Sequence, residues 1–531
     1  MAPPTRASSS HKAWVMENLS ASRLSSALLA DMEAKGIDAG LTLSILDDYN
    51  AGLYDSVKSV EASGVPAIDG KMVINLADRE RIAYAVPEDD ARMALAGLDL
   101  ELPASVKRPG RGNGRELVFD AAALGEIGEA LMGRTAYGVL NGGSATSYAD
   151  SKKNLAFGQA VFDALLSSYN LLAPACKDRP KGLTPAYLEP DGSGGASFLI
   201  LKMRSRLVAA KRAKEKGQKV DENFMPLFQM TSVSNDAELR KAYAEYASHP
   251  LIAGLASELG ISGTSWATGV QPMLAAYTHS SEGRPKRVFD RSHGKSDSAI
   301  ALPGGHGQCF RVLAPQLRAL HEKGVRFAYI GNVDNLGYLP DPVELAILAL
   351  SGQSAAFDFS IRTSVDVKGG ILVETRDGAR TVADIGPAIS FDEVKKLEAS
   401  GASILFNCAI GLFDLDYLVP ALDEIGRKLP VRFTDQDKDA GRYSQAEQVT
   451  WEVASILPGF LAFAVDKYDR FIAAKLLAET LLTSGAAAGD SRVPSDLADT
   501  SRKLHAALER KLAGPYGLEI ESGRWVAKRQ D

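Results

Sequence analysis

A glycine turn is the stretch of this 531-residue chain best suited to phosphate chemistry. Leu140-Asn141-Gly142-Gly143 follows an apolar run, 135–140, that predicts a buried strand, and precedes an apolar-periodic segment, 155–172, that predicts a helix. A strand, a glycine turn and a helix in this order bring bare backbone N–H groups beside a phosphate. Lys152 and Lys153 follow closely enough to neutralise phosphate charge. The pattern equally fits an ordinary tight turn, and both interpretations stay open here.

Three further stretches carry groups suited to the same chemistry. In Pro303-Gly304-Gly305-His306-Gly307, His306 precedes a predicted helix and can donate to a phosphate oxygen. In Asn332-Val333-Asp334-Asn335-Leu336-Gly337, Asp334 follows a predicted strand and suits Mg²⁺, which prefers one or two carboxylates plus phosphate oxygens. Lys475 stands in a largely apolar context from which it can reach a cleft. The plain alternatives are a helix-start turn, an Asx-turn and a surface lysine.

The elements that must position these residues alternate between short apolar and longer amphipathic runs. This alternation predicts an α/β domain with a mostly parallel sheet, whose ligands bind beyond the carboxyl ends of the strands. Gly142, Asn332 and Asn407 each follow a strand candidate, and a hairpin over 371–375 and 380–383 makes the predicted sheet mixed. The predicted strands are Thr135–Leu140, Met225–Met230, Ser265–Val270, Phe327–Gly331, Ala356–Ile361 and Ser403–Phe406, and the predicted helices between them are Ala237–Ala247, Gly307–Lys323 and Pro342–Leu350.

The sequence predicts three consecutive domains. Residues 1–130 are predicted to form a mainly helical N-terminal region, 131–431 the central α/β domain, and 432–531 a small C-terminal helical domain. The helix candidates of the last segment are Gln445–Leu457, Arg470–Thr483 and Leu504–Leu512.

Composition limits the classes of partner. The chain is 45% hydrophobic and 24% charged, as in soluble globular proteins, and its net charge of −6 gives no general attraction to nucleic acid or an anionic membrane. No apolar run approaches the roughly 20 residues that span a bilayer. Three widely spaced cysteines argue against a disulfide framework or a zinc cluster. We therefore expect a cytoplasmic protein without nucleic-acid or membrane partners.

A run of eight Lys and Arg residues between 202 and 219 is open to two interpretations. It is either a nucleic-acid patch or one solvated face of a helix. No aromatic residues interleave with the basic ones and the whole chain is acidic, so the solvated face is favoured.

Taken in order, the motifs resemble those of the eukaryotic-type UDP-sugar pyrophosphorylase family, which includes UTP–glucose-1-phosphate uridylyltransferase and UDP-N-acetylhexosamine pyrophosphorylase. The resemblance runs from about 130 to 480 and implies a Rossmann-like, GT-A-like nucleotidyltransferase fold with a mixed sheet flanked by helices. The matching stretches are Leu140-Asn141-Gly142-Gly143, Pro303-Gly304-Gly305-His306-Gly307, Asn332-Val333-Asp334-Asn335-Leu336-Gly337, Asp366-Val367-Lys368-Gly369-Gly370, Phe406-Asn407 and Arg470-Phe471-Ile472-Ala473-Ala474-Lys475.

The resemblance implies a role for each matching residue. Nucleotide-binding residues would be Leu140, Asn141, Gly142, Gly143, Gln271 and Gly305, with Gln271 reading uracil and Gly305 packing against the base. Sugar-phosphate-binding residues would be His306, Asn332, Asn407 and Lys368. Asp334 would bind Mg²⁺, and Lys475 with one of Lys152 or Lys153 would contact phosphates as catalytic residues.

The chain departs from the family pattern at several points. Ala145 stands where the family usually has a further glycine, and Ala473 replaces a proline in the late lysine motif. The family's loop lysine follows a proline, whereas Ser151 precedes Lys152 and Lys153, so the choice between these two lysines stays open. The long C-terminal β-helix of the glucose branch is expected to be absent, since only about 50 residues follow the late lysine motif.

The implied reaction joins UTP and a sugar 1-phosphate, with glucose 1-phosphate favoured, to give a UDP-sugar and pyrophosphate in the presence of Mg²⁺. The alternatives are a UDP-N-acetylhexosamine or broad UDP-sugar pyrophosphorylase, and a non-catalytic nucleotide-sugar-binding protein. A dinucleotide-dependent oxidoreductase is a further alternative, although the chain lacks G-x-G-x-x-G with an acidic residue about 20 positions on. The sequence leaves the oligomeric state open.

Overall fold

The secondary structure comes from a computed structural model that describes residues 24–55, 60–108, 115–143, 148–363, 366 and 369–528. The helices are α1 Ser26–Ala34, α2 Ala39–Asn50, α3 Glu88–Ala96, α4 Ala121–Leu131, α5 Ser151–Asn154, α6 Gln159–Cys176, α7 Phe198–Glu215, α8 Asp236–Tyr246, α9 Pro250–Leu259, α10 Cys309–Val312, α11 Ala314–Glu322, α12 Pro342–Ser351, α13 Phe391–Ala399, α14 Leu415–Lys428, α15 Lys467–Arg470, α16 Leu477–Thr483 and α17 Ser495–Ala513. The strands are β1 Ala62–Gly64, β2 Val73–Asn75, β3 Tyr84–Pro87, β4 Glu116–Phe119, β5 Thr135–Leu140, β6 Leu227–Ser232, β7 Trp266–Gln271, β8 Met273–Ala275, β9 Tyr277–Thr278, β10 Ala301–Pro303, β11 Phe327–Asn332, β12 Ala355–Ile361, β13 Gly370–Thr375, β14 Arg380–Asp384, β15 Leu405–Asp414, β16 Arg432–Lys438, β17 Gly441–Glu447, β18 Leu461–Val465, β19 Leu518–Glu521 and β20 Arg524–Ala527.

The contacts divide the chain into two compact units that interleave along the sequence. The larger unit comprises residues 60–269, 313–423 and 454–531, and the smaller one residues 1–59, 270–312 and 424–453. The prediction of three consecutive domains is not decided by this division and stays a prediction.

The larger unit is built on a mixed sheet flanked by helices, as the sequence predicts. The strand order is β2-β18-β12-β15-β11-β5-β6-β7, and β1, β13 and β14 branch from β15. β11, β5 and β6 run parallel, whereas β15 is antiparallel to both β11 and β12. All six residues of β5 are buried, because helices cover both faces of a central strand.

The smaller unit has its own apolar core. Helices α1 and α2 pack buried leucines against β8 and against the three-stranded sheet β16-β17-β9. Gly36 takes a positive φ of 66° just after α1, a conformation that suits the residue that ends a helix.

One helix prediction for the flanking segments is wrong. Gln445–Leu457 is not a helix, because β17 continues to Glu447 and pairs with β16, and a 3₁₀ turn over Thr450–Ser455 follows. The N-terminal region, predicted to be mainly helical, also contributes the short strands β1 to β4. Cross-strand pairing decides these segments: β2 is three residues long and joins the sheet by pairing with β18.

The basic run is only partly a solvated helix face, so that interpretation is wrong for its first third. Lys202, Arg204 and Arg206 on α7 are buried and donate to backbone carbonyls. The later basic residues of the run, from Lys211 onward, are exposed or half-buried. Alternate residues of a helix do not share a face, so burial of all three requires protein on more than one side of α7.

Candidate active site

The ends of two neighbouring strands form the floor of the site in the larger unit. β5 and β11 are parallel and in register, so that Leu140 pairs with Asn332. The Val333 N–H also donates to the Leu140 carbonyl at 3.4 Å. The glycine turn 141–143 and the segment 332–334 therefore leave the sheet side by side, at the edge where α/β sheets bind ligands.

Lys181 joins the segments that the sequence motifs predict to meet. Its backbone N–H donates to the Gly143 carbonyl at 3.3 Å, and its Nζ lies 2.6 Å from Asp334 Oδ2. The same Nζ donates to the Ala474 carbonyl and lies 4.9 Å from the centre of the Tyr148 ring. Both side chains of the Lys181–Asp334 pair are 13% exposed, so the pair is accessible from one side only.

The late lysine motif lies against the same pair. The Ala474 N–H donates to the Asp334 carbonyl at 3.4 Å, and Lys475 follows with an exposed side chain at the start of α16. The Glu479 carboxylate accepts the N–H groups of Lys475 and Leu476. Burial raises the pKa of the Glu479 carboxyl above its usual range, and these N–H groups oppose that rise. The late motif is thus fixed at its backbone, with the Lys475 side chain left at the surface.

The glycine turn presents its backbone outward. A Cβ atom added to Gly143 would meet no protein atom within 4 Å, so internal packing does not require glycine there. The Asn141 side chain is 1% exposed, and its Nδ2 donates to Gln229 Oε1 at 3.2 Å. A ligand at this turn would therefore meet backbone groups, as the motif predicts.

Sequence reasoning missed Lys181, although a signal for it exists. Lys152 and Lys153, the predicted phosphate lysines, are exposed residues of the short helix α5. Lys181 lies further along the chain and directly follows Pro180, which is the order expected of the family's loop lysine. The roles of Lys152 and Lys153 stay predictions.

Asn407 lies inside a strand that is longer than predicted. β15 begins at Leu405 and continues to Asp414, past the predicted end at Phe406. Because Gly331 pairs with Ile410 in antiparallel register, Asn407 lies at the sheet edge where β11 ends. Its Oδ1 accepts the N–H of Ala409, which has a φ of 54°. The Asn407 side chain thus stabilises an irregular backbone conformation within β15, and this irregularity interrupts the local pattern by which a strand is predicted.

The Asp366–Gly370 motif is described only in part. Lys368 lies outside the described residues, and its role stays a prediction. Asp366 is buried and pairs with Lys467 at 2.5 Å.

The predicted nucleotide residues of the smaller unit form a cluster of their own. Gln271 is 4% exposed, and its Nε2 donates to the Gly305 carbonyl at 2.8 Å and to Gln308 Oε1 at 2.9 Å. Gly305 has a φ of 80°, and an added Cβ would lie 2.3 Å from the Gln448 carbonyl oxygen. Only glycine fits at this position, for reasons of both conformation and space.

Thr450 contacts both the ring and the backbone of His306. The Thr450 N–H and Oγ1 lie 3.1 and 2.7 Å from His306 Nδ1. The same Oγ1 is 2.8 Å from the His306 carbonyl, to which it donates. These contacts orient the imidazole ring, and its role toward a phosphate stays a prediction.

Comparison with known proteins supports the predicted family. The profile of the family described as UTP–glucose-1-phosphate uridylyltransferase matches residues 284–487. The chain is 26% identical over 225 residues to a UTP–glucose-1-phosphate uridylyltransferase of Solanum tuberosum, and 30% identical over 107 residues to one of Astragalus penduliflorus. These matches show similarity to UTP–glucose-1-phosphate uridylyltransferases over part of the chain.

The matched stretches span less than half the length of each plant enzyme. They cover 42% of this chain and 44% of the Solanum tuberosum enzyme, and 19% of this chain and 23% of the Astragalus penduliflorus enzyme.

Solved structures resemble the chain over nearly its whole length. A UDP-N-acetylglucosamine pyrophosphorylase from Trypanosoma brucei, in complex with an inhibitor, has a TM-score of 0.54 at 16% identity and covers 96% of this chain and 95% of its own. A UDP-glucose phosphorylase from the same organism has a TM-score of 0.52 at 16% identity, over 94% of this chain and 81% of its own. These likenesses confirm the predicted α/β fold with a mixed sheet flanked by helices.

Proposed function

We propose that this protein transfers a uridylyl group from UTP to a sugar 1-phosphate, glucose 1-phosphate in the first place, and releases pyrophosphate. One observation carries the proposal: Lys181 contacts Gly143, Asp334 and Ala474 at the same time. These three contacts bring the glycine turn, the predicted metal ligand and the late lysine motif around a single cation. The similarity of residues 284–487 to UTP–glucose-1-phosphate uridylyltransferases supports the same activity.

The reaction needs alignment and charge neutralisation rather than proton transfer. An anionic oxygen of the sugar 1-phosphate attacks the α-phosphorus of UTP, and the bond from that phosphorus to the oxygen bridging the β-phosphorus breaks. Because the nucleophile is already ionised and pyrophosphate leaves as an anion, no general base is required. Lys181 and Lys475 supply positive charge where charge develops, and the backbone of 141–143 orients the polyphosphate.

The Asp334 carboxylate fits a magnesium ion that is shared with a polyphosphate. Among the described residues, no group of three or more His, Cys, Asp or Glu side chains could hold a metal by itself. A single carboxylate at a strand end suits Mg²⁺, because this ion takes its remaining ligands from phosphate oxygens and water. Asp334 would hold the ion, which would offset negative charge on the polyphosphate, while Lys181 keeps the carboxylate oriented.

The remaining assignments stay part of the proposal. Gln271, Gly305 and His306 would contact the nucleotide and sugar phosphate, as the motifs predict. Asn332 and Asn407 would bind the sugar. The choice of sugar rests on a few such contacts, since one hydroxyl or acetamido group suffices to change it.

A pyrophosphate-release assay tests the proposal. The purified chain is incubated with UTP, Mg²⁺ and a panel of glucose, galactose and N-acetylglucosamine 1-phosphates. We expect release that requires both substrates and is fastest with glucose 1-phosphate. Binding of UDP-glucose without turnover on any sugar 1-phosphate would instead identify a non-catalytic nucleotide-sugar-binding protein.

Replacement of Lys181 tests the residue on which the proposal depends. We expect Lys181→Met to lower kcat about 100-fold, because loss of one preorganised donor to developing charge has an effect of this size. Lys177→Met is the matched control, since Lys177 is an exposed lysine just after α6. Equal rates for the two variants in the pyrophosphate-release assay would remove Lys181 from the site.

A further inference from the structure

The loop that carries Asp334 turns its carbonyl groups inward, onto buried donors. The Asn335 and Tyr338 carbonyls accept from Lys202 Nζ at 2.7 and 2.6 Å. The Leu336 carbonyl accepts from the Tyr516 hydroxyl at 2.9 Å, and the Leu339 carbonyl from Arg470 Nη1 at 2.7 Å. These buried side-chain donors therefore determine the backbone conformation of the loop directly after Asp334.

Lys202 is the donor that contacts the loop at two points. It is fully buried on α7, and its Nζ lies 4.7 Å from the centre of the Tyr338 ring and 5.7 Å from that of Tyr137. Among the described residues, no carboxylate forms an ion pair with it. Two carbonyls and two aromatic faces therefore surround the amine, which is a cation-binding environment without a counter-ion.

This environment serves the loop whatever the charge of the amine. Burial lowers the pKa of the Lys202 ammonium well below its usual range, and the Asp334 carboxylate partly opposes that change. Even a neutral amine keeps two N–H donors, enough for the carbonyls of Asn335 and Tyr338. An apolar side chain would remove one donor from each carbonyl, leaving the Tyr338 N–H on the Asn335 carbonyl at 3.2 Å and the Tyr137 hydroxyl on the Tyr338 carbonyl at 2.7 Å. The loop would then lose the side chain that joins its two carbonyls.

The buried arginines of the same helix act elsewhere. Arg206 donates to the carbonyls of Phe224, Ser262 and Glu222, none of which belongs to the Asp334 loop. Replacement of Arg206 is therefore a control: it removes a buried basic side chain from α7 and affects stability without touching the Asp334 loop.

We propose that Lys202 is a positioning residue for the uridylyl-transfer site: it holds the Asn335 and Tyr338 carbonyls, and through them sets the orientation of Asp334. The proposal rests on the proposed function for its catalytic part. Its structural part, that Lys202 fixes this loop, is independent of the reaction.

The first test compares Lys202→Met with Arg206→Met. Methionine keeps a long unbranched side chain and removes the donors. We expect Lys202→Met to lower kcat about 10- to 100-fold, with a smaller change in KM for the sugar 1-phosphate, because misplacement by about 1 Å has an effect of this size. Hydrogen exchange of the amides of 333–338 should rise in Lys202→Met, whereas Arg206→Met should keep the wild-type kcat and loop exchange.

The second test restores the missing group. Lys202→Ala lacks the atoms of n-propylammonium, which should rebind in the space they leave. We expect this ion to raise the melting temperature of Lys202→Ala and to restore at least part of its activity, whereas 1-propanol, which has a single O–H donor for the two carbonyls, should not.

The outcomes separate the two proposals. Loop exchange in Lys202→Met no greater than in Arg206→Met would overturn the role of Lys202, and so would equal effects of n-propylammonium and 1-propanol on Lys202→Ala. If the wild-type chain releases no pyrophosphate from any substrate pair, the proposed function fails, while exchange and melting still decide whether Lys202 fixes the loop.

Discussion

At the scale of single residues, Lys181 and Asp334 each limit what the other can bind. A lysine 2.6 Å from a carboxylate offsets its charge and holds it in one orientation. A polyphosphate would offer Lys181 a second set of anionic oxygens. The pair thus links phosphate binding and carboxylate orientation through one ammonium group.

Lys475 is expected to matter for turnover and not for folding. Its side chain is exposed, so Lys475→Ala should change the free energy of unfolding by no more than about 0.5 kcal/mol. We expect kcat to fall about 100-fold or more, because a cation at the polyphosphate is lost. Urea unfolding and pyrophosphate release measure the two effects. The control is Lys395→Ala, because Lys395 is an exposed lysine of α13. A Lys475→Ala variant that is as fast as Lys395→Ala would exclude Lys475 from the site.

Asp341 is expected to stabilise the fold in a pH-dependent manner. It is half-buried beside Arg79, and although burial opposes the change, that guanidinium lowers the pKa of Asp341 to about 2. The stabilisation is therefore complete above the unfolded pKa near 4 and is lost as the pH falls toward 2.

Asp341→Asn isolates this charge, because asparagine can still cap α12 as Asp341 does. We expect the variant to lose about 2 kcal/mol of unfolding free energy at pH 7, and less at pH 3. Urea unfolding at both pH values measures this. The same loss at both pH values would contradict the assignment.

At the scale of elements, helices α4 and α12 approach closely at one glycine. A Cβ atom added to Gly128 would lie 1.7 Å from the Pro342 carbonyl oxygen, whereas one added to Gly125, on the same helix, would meet nothing within 4 Å. This contact fixes α12, the helix that follows the Asp334 loop.

The two glycines give a matched pair of variants. We expect Gly128→Ala to destabilise the protein by about 1–3 kcal/mol through overpacking. Gly125→Ala should be neutral or stabilise it by up to about 1 kcal/mol, because alanine favours the helix. Thermal and urea unfolding measure both, and similar effects of the two substitutions would show that α4 and α12 are not packed as described.

At the scale of the whole molecule, ligand binding should discriminate between the function classes. No helix in the described residues is long and apolar enough to cross a membrane. We expect UTP with Mg²⁺ to raise the melting temperature, because a ligand at 100 times its Kd stabilises the folded state by about 2.7 kcal/mol. NADH at the same concentration should have no effect. Stabilisation by NADH alone would favour the oxidoreductase alternative.

Strong local patterns predicted the sheet but not its edges. β5 and β11 were predictable because each is a continuous apolar run, and the hairpin of β13 and β14 because Asp377-Gly378 marks its turn. β2 and the second half of β15 were not, since pairing with distant strands, rather than local apolar pattern, places them in the sheet.

The sequence by itself determined the α/β fold, the resemblance to the UDP-sugar pyrophosphorylase family and the segments proposed to carry the site, because motif order and strand periodicity are local properties of the chain. Only the tertiary structure decided which lysine joins those segments and which basic residues of α7 are buried. Lys181 and Lys202 find their partners far along the chain, at Asp334 and Asn335. No local pattern records a hydrogen bond between residues more than 100 positions apart, so those choices follow only from the packed fold.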